Sequence, residues 1–150
     1  MHIQTLIDGL IEAAPELAPR LAEHYAEYGE LLGYLFFSHD VLPQIVALRQ
    51  GSDEDRARLA AMLALMEQAW EEEGHGHVDA ETVGVIALSV LENLGVEELR
   101  ALRPMLGPEM GRAADRYYLP QPPPTLGQRG VMLLRRMFPG FPKPGFPKKA

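Results

Sequence analysis

Apolar residues recurring at intervals of three and four, rather than two, leave this chain one economical way to build a core. Leu59, Met62, Leu63, Met66 and Trp70 form one such stripe, and Val83, Ile86, Ala87, Val90, Leu91 and Leu94 form another. Intervals of three and four follow the α-helical period, whereas a strand repeats every two residues. No alternating run of β-branched residues is bounded by Asn-Gly or Asp-Gly, so the sequence carries no hairpin signal. The pattern predicts an all-α fold, a compact multi-helix bundle.

Local punctuation divides the bundle into elements. Helices are expected from His2 to Ala13, stopped by Pro15; from Glu16 to Tyr28, ending near Gly29; and from Glu30 to Phe37. Val41 to Arg49 continues the apolar pattern, but Pro43 forbids an uninterrupted helix unless it falls in a first turn. Ser38-His39-Asp40 is therefore the expected joint, with Asp40 capping the next helix. Ser52 and Asp55 make a capping-box-like start for the first stripe. Asp79 is the expected N-cap of the second, and Gly95 its C′ residue. Val85 and Leu88 lie outside that second stripe, which marks its helix as the most buried. Ser89, in its middle, is expected to bond back to a carbonyl one turn earlier. Val96 to Leu106 and Pro108 to Tyr118 complete the series, divided by Gly107-Pro108.

Charge divides the chain differently. Residues 1–118 hold all 21 Asp and Glu against eight Arg and no Lys, a net of −13, while residues 119–150 hold six basic residues and no acid, a net of +6. Eight of the 13 prolines also fall in 119–150, so the charge boundary is a change of chain stiffness as well. The division predicts an acidic helical bundle, 1–118, and a basic Pro/Gly-rich tail, 119–150. Within the tail, Thr125 and Gln128 form a capping box, and Leu126, Gly130, Leu133, Leu134 and Met137 share a helical face, which predicts a helix near 126–138. A tandem pentapeptide follows, Pro139-Gly-Phe-Pro-Lys143 and Pro144-Gly-Phe-Pro-Lys148. Such a tail could serve membranes, nucleic acid or a proline-binding partner. The acidic body repels phosphate, which disfavours nucleic acid, and attracts the tail itself, so packing on the body is the expectation. Neither a signal peptide nor a membrane span is read in the sequence, giving a cytoplasmic expectation with no membrane partner.

The inventory of side chains excludes much covalent chemistry. There is no cysteine, no lysine within 1–118, and no Gly-x-Ser-x-Gly or Gly-x-x-x-x-Gly-Lys pattern, so neither a thiolate nucleophile nor a P-loop is available. The chain is read as a non-enzyme without cofactor. In Glu71-Glu-Glu-Gly-His75-Gly-His77-Val-Asp79, His75 and His77 with flanking carboxylates could ligate zinc or nickel. A solvated glycine-rich loop explains the segment with less, and no metal is assigned. Glu71, Glu72 and Glu73 fall at a helix C-terminus, where the macrodipole opposes them; this suits a binding role, although a solvated face explains them with less. His39 beside Asp40 suggests an acid/base pair or a polar contact, although capping alone accounts for Asp40. His24, Tyr25 and Tyr28, a turn apart, could line a groove or edge the core. Glu92 and Asn93 stand opposite their helix's apolar stripe, as a contact or as a polar bond to a neighbour.

Several blocks carry a resemblance. Glu23-His24, Gly29-Glu30-Leu31-Leu32-Gly33-Tyr34-Leu35-Phe36-Phe37-Ser38-His39-Asp40, Ser89-Val90-Leu91-Glu92-Asn93-Leu94 and Leu106-Gly107-Pro108 are similar to the pattern of an uncharacterised bacterial family of small acidic helical proteins. That pattern runs Glu-His, Gly-Glu-Leu-Leu-Pro-His-x-Phe-Phe-Gly-Asp, Ser-Phe-Leu-Glu-Asn-Leu and Leu-Gly-Pro. The resemblance covers residues 21–115, and departs at Gly33-Tyr34 and at the inserted His39. Some members accompany secreted toxins, so the resemblance implies an immunity (antitoxin) protein that neutralises a cognate toxin by stoichiometric occlusion. It carries over no catalytic residue. The expected contacts with a basic toxin surface are His39, Asp40, Glu71, Glu72, Glu73 and Glu92. The competing readings are an adaptor whose proline-rich tail engages a partner, and a metal-binding protein or enzyme using His75 and His77.

Overall fold

Helices supply all the regular structure among the described residues, as the three-and-four spacing predicts. A computed structural model describes residues 1–73 and 80–120. These lie in a unit spanning Met1–Pro120, and Gln121–Ala150 forms a second unit. Helix α1 is Ile3–Ala13 and α2 is Leu17–Tyr28. Helix α3, 33–50, passes through Gly33–Phe36, a π turn at Phe37–Val41, and Leu42–Gln50. Helix α4 is Asp53–Glu73. Helix α5, 80–91, ends in a π turn at Ala87–Leu91, and α6, Val96–Leu102, tightens into a 3-10 turn at Arg103–Met105. Helix α7, 108–118, closes with a third π turn at Ala114–Tyr118. The expected tail helix near 126–138, the pentapeptides, His75, His77 and Asp79 lie outside the described residues.

Sequence punctuation accounts for most of the ends. Gly29 takes φ 75°, and its N–H donates to the Tyr25 carbonyl, so the left-handed turn that ends α2 falls on the residue type that adopts it without strain. At the start of α4 the reciprocal box forms. Asp55 N–H donates to Ser52 Oγ at 3.1 Å and Ser52 N–H donates to Asp55 Oδ2 at 2.9 Å.

Three expectations change. Helix α3 begins at Gly33 rather than Glu30 and runs through the expected joint, because the wider π turn precedes Pro43, which then sits in the first turn of the following α segment. Asp40 makes no cap bond there. Gly95 is extended, with φ −61° and ψ 154°, and stands at the start of α6. Asn93 makes a left-handed glycine unnecessary by donating its side-chain amide to the Leu88 carbonyl at 2.8 Å, closing its own helix. Ser89 does not bond back along α5 but donates across to the Tyr34 carbonyl of α3 at 3.1 Å.

The long helix α4 is the hub. It packs against α1, α3, α5 and α7, and buries Leu59, Met62, Leu63 and Met66 in the core. As expected, α5 is the most buried helix by share of its residues, with Thr82, Val83, Val85, Ile86, Ser89, Val90 and Leu91 all buried, although Leu88 on its open face is 48% exposed. Arginines brace the periphery. Arg49 donates to Glu98 at 2.8 Å between α3 and α6, Arg58 reaches Glu16 and the Ala13 carbonyl, and Arg103 grips both oxygens of Asp115 at 2.8 and 2.7 Å.

One buried carboxylate joins the hub to α7. Glu67 is 7% exposed, and its two oxygens accept the N–H groups of Glu109 at 2.5 Å and Met110 at 3.0 Å. Gly107 and Pro108 give α7 no capping side chain of their own. A carboxylate from α4 fills that role, where the orphan N–H groups and the helix dipole both favour negative charge. Its approach requires Gly107, because a Cβ there would collide with Cγ and Cδ of Glu67.

Glu67→Ala is expected to cost about 3 kcal/mol in urea unfolding, the range for losing charge-assisted bonds to buried donors. Gly107→Ala should cost a similar amount in the native background and much less in the Glu67→Ala background. Additive losses would mean that the glycine serves something other than carboxylate access.

The Arg103 hydrogen bonds hold the Asp115 carboxyl below its ordinary value. A lowered folded value means that this stabilisation is complete above the ordinary carboxylate range of about 4 and is lost as pH falls through the lower folded value. The melting-temperature difference between native protein and Asp115→Asn should therefore be constant above about pH 5 and shrink on further acidification. A difference independent of pH would remove the ionised pair as its cause.

Candidate functional site

Helix α2 presents Arg20, Glu23, His24, Glu27 and Tyr28 along one face, since these positions repeat at three and four. The π turn of α3 packs against that helix and brings up His39 and Asp40. With Leu35 these side chains line a cleft of about 170 Å³. Arg20 approaches Asp40 at 3.6 Å as a loose ion pair. The neighbouring Glu27 carboxylate first, with burial and the charge of Asp40, pushes the Tyr28 phenol above its ordinary value. Three carboxylates thus face one guanidinium and a protonated phenol.

His24 forms the base. It is 5% exposed, and its Nε2 accepts the Leu32 N–H at 3.1 Å, which places the ring proton on Nδ1 in the neutral imidazole. The ring packs at 4.8 Å from Tyr28 and 5.6 Å from Phe36. One side chain therefore joins α2, the turn before α3 and the aromatic core. Nearby, α2, that turn and the start of α3 leave Tyr25, Tyr28, Leu32 and Tyr34 exposed.

The π turns hold the wall in place. The Tyr34 carbonyl accepts Ser38 Oγ at 2.8 Å and Ser89 Oγ at 3.1 Å, tying the π turns of α3 and α5 together. Gly33 permits a close approach on the same side, where a Cβ would stand 2.6 Å from Ile3 Cδ1.

Of the expected contact residues, His39 and Asp40 share this cleft. The others have different surroundings. Glu72 meets the Met1 amino group at 2.6 Å and accepts from Gln68 at 3.1 Å, which places it against the start of α1. Glu71 is exposed on the last turn of α4. The Glu73 side chain lies outside the described residues. Glu92 is exposed and its charge acts on Tyr118, whose phenol is raised chiefly by burial. Arg20, Glu23 and Glu27 belong to the cleft but were not among the expected contacts. Their spacing on α2 was the available signal, and what lay opposite them was not.

Among the described residues no group of three or more His, Asp or Glu side chains is arranged to hold a metal ion, and no helix is long and apolar enough to cross a membrane. Fold and cleft together define an all-α bundle with a solvent-open, carboxylate-rich polar cleft. Set against protein-family models, curated proteins and solved structures, the chain matches none.

His24→Leu keeps the apolar packing but leaves the Leu32 N–H without its acceptor. It should cost about 1–3 kcal/mol in urea unfolding and accelerate hydrogen exchange at the Leu32 amide. Unchanged exchange at that amide would show that the turn does not depend on the imidazole.

Proposed function

We propose that this protein is an immunity (antitoxin) protein, which binds a cognate bacterial toxin domain through the cleft between α2 and the π turn of α3 and occludes it one to one. The supporting observation is the set of carboxylates Glu23, Glu27 and Asp40 around a single arginine, beside exposed tyrosines on α2 and the start of α3. Aromatic side chains supply contact area with little conformational entropy to lose, and fixed charge selects and orients an oppositely charged partner. The net charge of −13 over residues 1–118 extends that selection beyond the cleft, favouring fast capture of a basic domain. The resemblance of residues 21–115 to an uncharacterised bacterial family of small acidic helical proteins, some of which accompany toxins, favours the same reading. His39 and Asp40 then act within the cleft, and Glu71, Glu72, Glu73 and Glu92 contribute as charges of the same acidic body.

Co-expression tests the proposal. A toxin encoded beside this gene should kill cells alone and spare cells that also make this protein. The triple variant Glu23→Lys, Glu27→Lys, Asp40→Lys should lose protection and associate with the purified toxin at least about tenfold more slowly at low salt. Circular dichroism would confirm that the variant folds. Undiminished protection by a folded triple variant would exclude the cleft as the binding surface, and a neighbour that kills regardless of this protein would defeat the immunity role.

A further inference from the structure

We infer that a second groove, between α4 and α7, is a recognition site for a partner-protein segment carrying a carboxylate next to an apolar side chain. Trp70, Glu109, Arg112, Ala113, Arg116 and Tyr117 line this groove of about 230 Å³. Arginine pairing singles it out. Seven of the eight arginines in residues 1–118 each meet a carboxylate. Arg116 is the eighth, and among the described residues it has no such partner. Its guanidinium instead stands 5.2 Å from the centre of the Tyr117 ring, and that tyrosine is 67% exposed.

The π turn at Ala114–Tyr118 displays Arg116 and Tyr117 together, while Trp70 contributes a half-buried indole from α4. A guanidinium on an aromatic face keeps its donors available for a carboxylate. Nearby Glu109 does not satisfy it, because Arg112 already holds that carboxylate. Beyond Asp115 the sequence contains no Asp or Glu.

The chemistry of the occupant follows from these groups. Arg116 requires an anion, and Trp70 and Tyr117 offer apolar area. Trp, Tyr and Arg are also the residues that most often dominate protein interfaces. The groove accommodates one or two side chains, below the usual volume of a drug-sized ligand site. The surrounding net charge of −13 repels polyanions, so the matching carboxylate is an isolated one on a neutral or basic partner. Such a partner is compatible with the proposed toxin, but the groove's chemistry does not depend on that reading.

The molecule contains its own reporter, since Trp70 is the only tryptophan. The full chain is titrated with the capped peptide acetyl-Leu-Asp-Phe-amide and with its Leu-Asn-Phe counterpart, following Trp70 fluorescence. A saturable emission change is expected with the Asp peptide, about tenfold weaker with the Asn peptide and weakened by the same factor in Arg116→Gln. Tyr117→Ala should also weaken it. Both substitutions lie on exposed side chains, and circular dichroism confirms folding. Absence of saturable change, equal response to both peptides, or undiminished response in Arg116→Gln would overturn the proposal. Emission that changes with protein concentration without peptide would assign the groove to a second copy of the chain and overturn it as well. None of these outcomes involves the toxin, so failure here is separable from failure of the immunity reading.

Discussion

The Glu67 carboxylate at the head of α7 is the contact on which the arrangement of the last third of the bundle turns. Helix α7 begins with Gly107-Pro108, a start that supplies no capping side chain. Left alone, its first N–H groups would face the interior beside Met110, which is fully buried. Burying unpaired amides costs more than the core contact there would return, so the helix can dock only where an acceptor waits. Helix α4 provides one, and the missing Cβ at Gly107 provides the space. Once α7 is seated, Arg103 can bridge to Asp115 and hold α6 against it.

A related problem is solved differently on the opposite side. Helix α3 would be interrupted by Pro43, yet its interruption is absorbed as one wide turn. Just before that turn the Tyr34 carbonyl, which also accepts the Phe37 N–H, takes the hydroxyls of Ser38 and Ser89 and so ties α3 to α5. The price in helix regularity is small, because serine loses little entropy when it is fixed. The gain is positional: His39 and Asp40, which an ordinary break would have placed in a solvated joint, are presented on a packed surface facing α2. Rigid presentation is what a recognition site needs, since side chains fixed before binding lose less freedom during it.

Helix periods, the Ser52–Asp55 box and the Gly29 stop were readable in the chain because each depends on residues within one or two turns. The same locality explains the failures. Ser89 could reasonably have bonded along its own helix, and only the neighbouring Tyr34 carbonyl, 55 positions away in sequence, redirects it. Glu67 looks in sequence like one more surface acid on α4, although it lies beside the apolar stripe at Met66. Nothing near it announces a partner 42 residues on. Half of the cleft was similarly visible as a polar face of α2, and half was visible as Ser38-His39-Asp40. Their convergence is a property of packing, which the periodicity of either segment does not encode. Gly95 failed for another reason. Two devices can end a helix, and the sequence contained both a glycine and an asparagine suited to the task; the asparagine took it.

Charge gives these local solutions a common direction. A body with 21 carboxylates and eight arginines cannot neutralise itself, and seven of the arginines are already paired with its own carboxylates. Most of the surface is therefore left anionic, with a field that salt confines to about 8 Å at physiological ionic strength. Over that range it favours approach by a basic surface but determines little about orientation. Orientation must come from features that break the uniformity of the field, and two are present. One is the α2–α3 cleft, where carboxylates, imidazoles and a phenol converge. The other is the groove at Arg116, where a lone cation over an aromatic ring interrupts the acidic surface. A partner that satisfies both must be basic at long range and locally acidic at one point, a more demanding specification than opposite net charge alone.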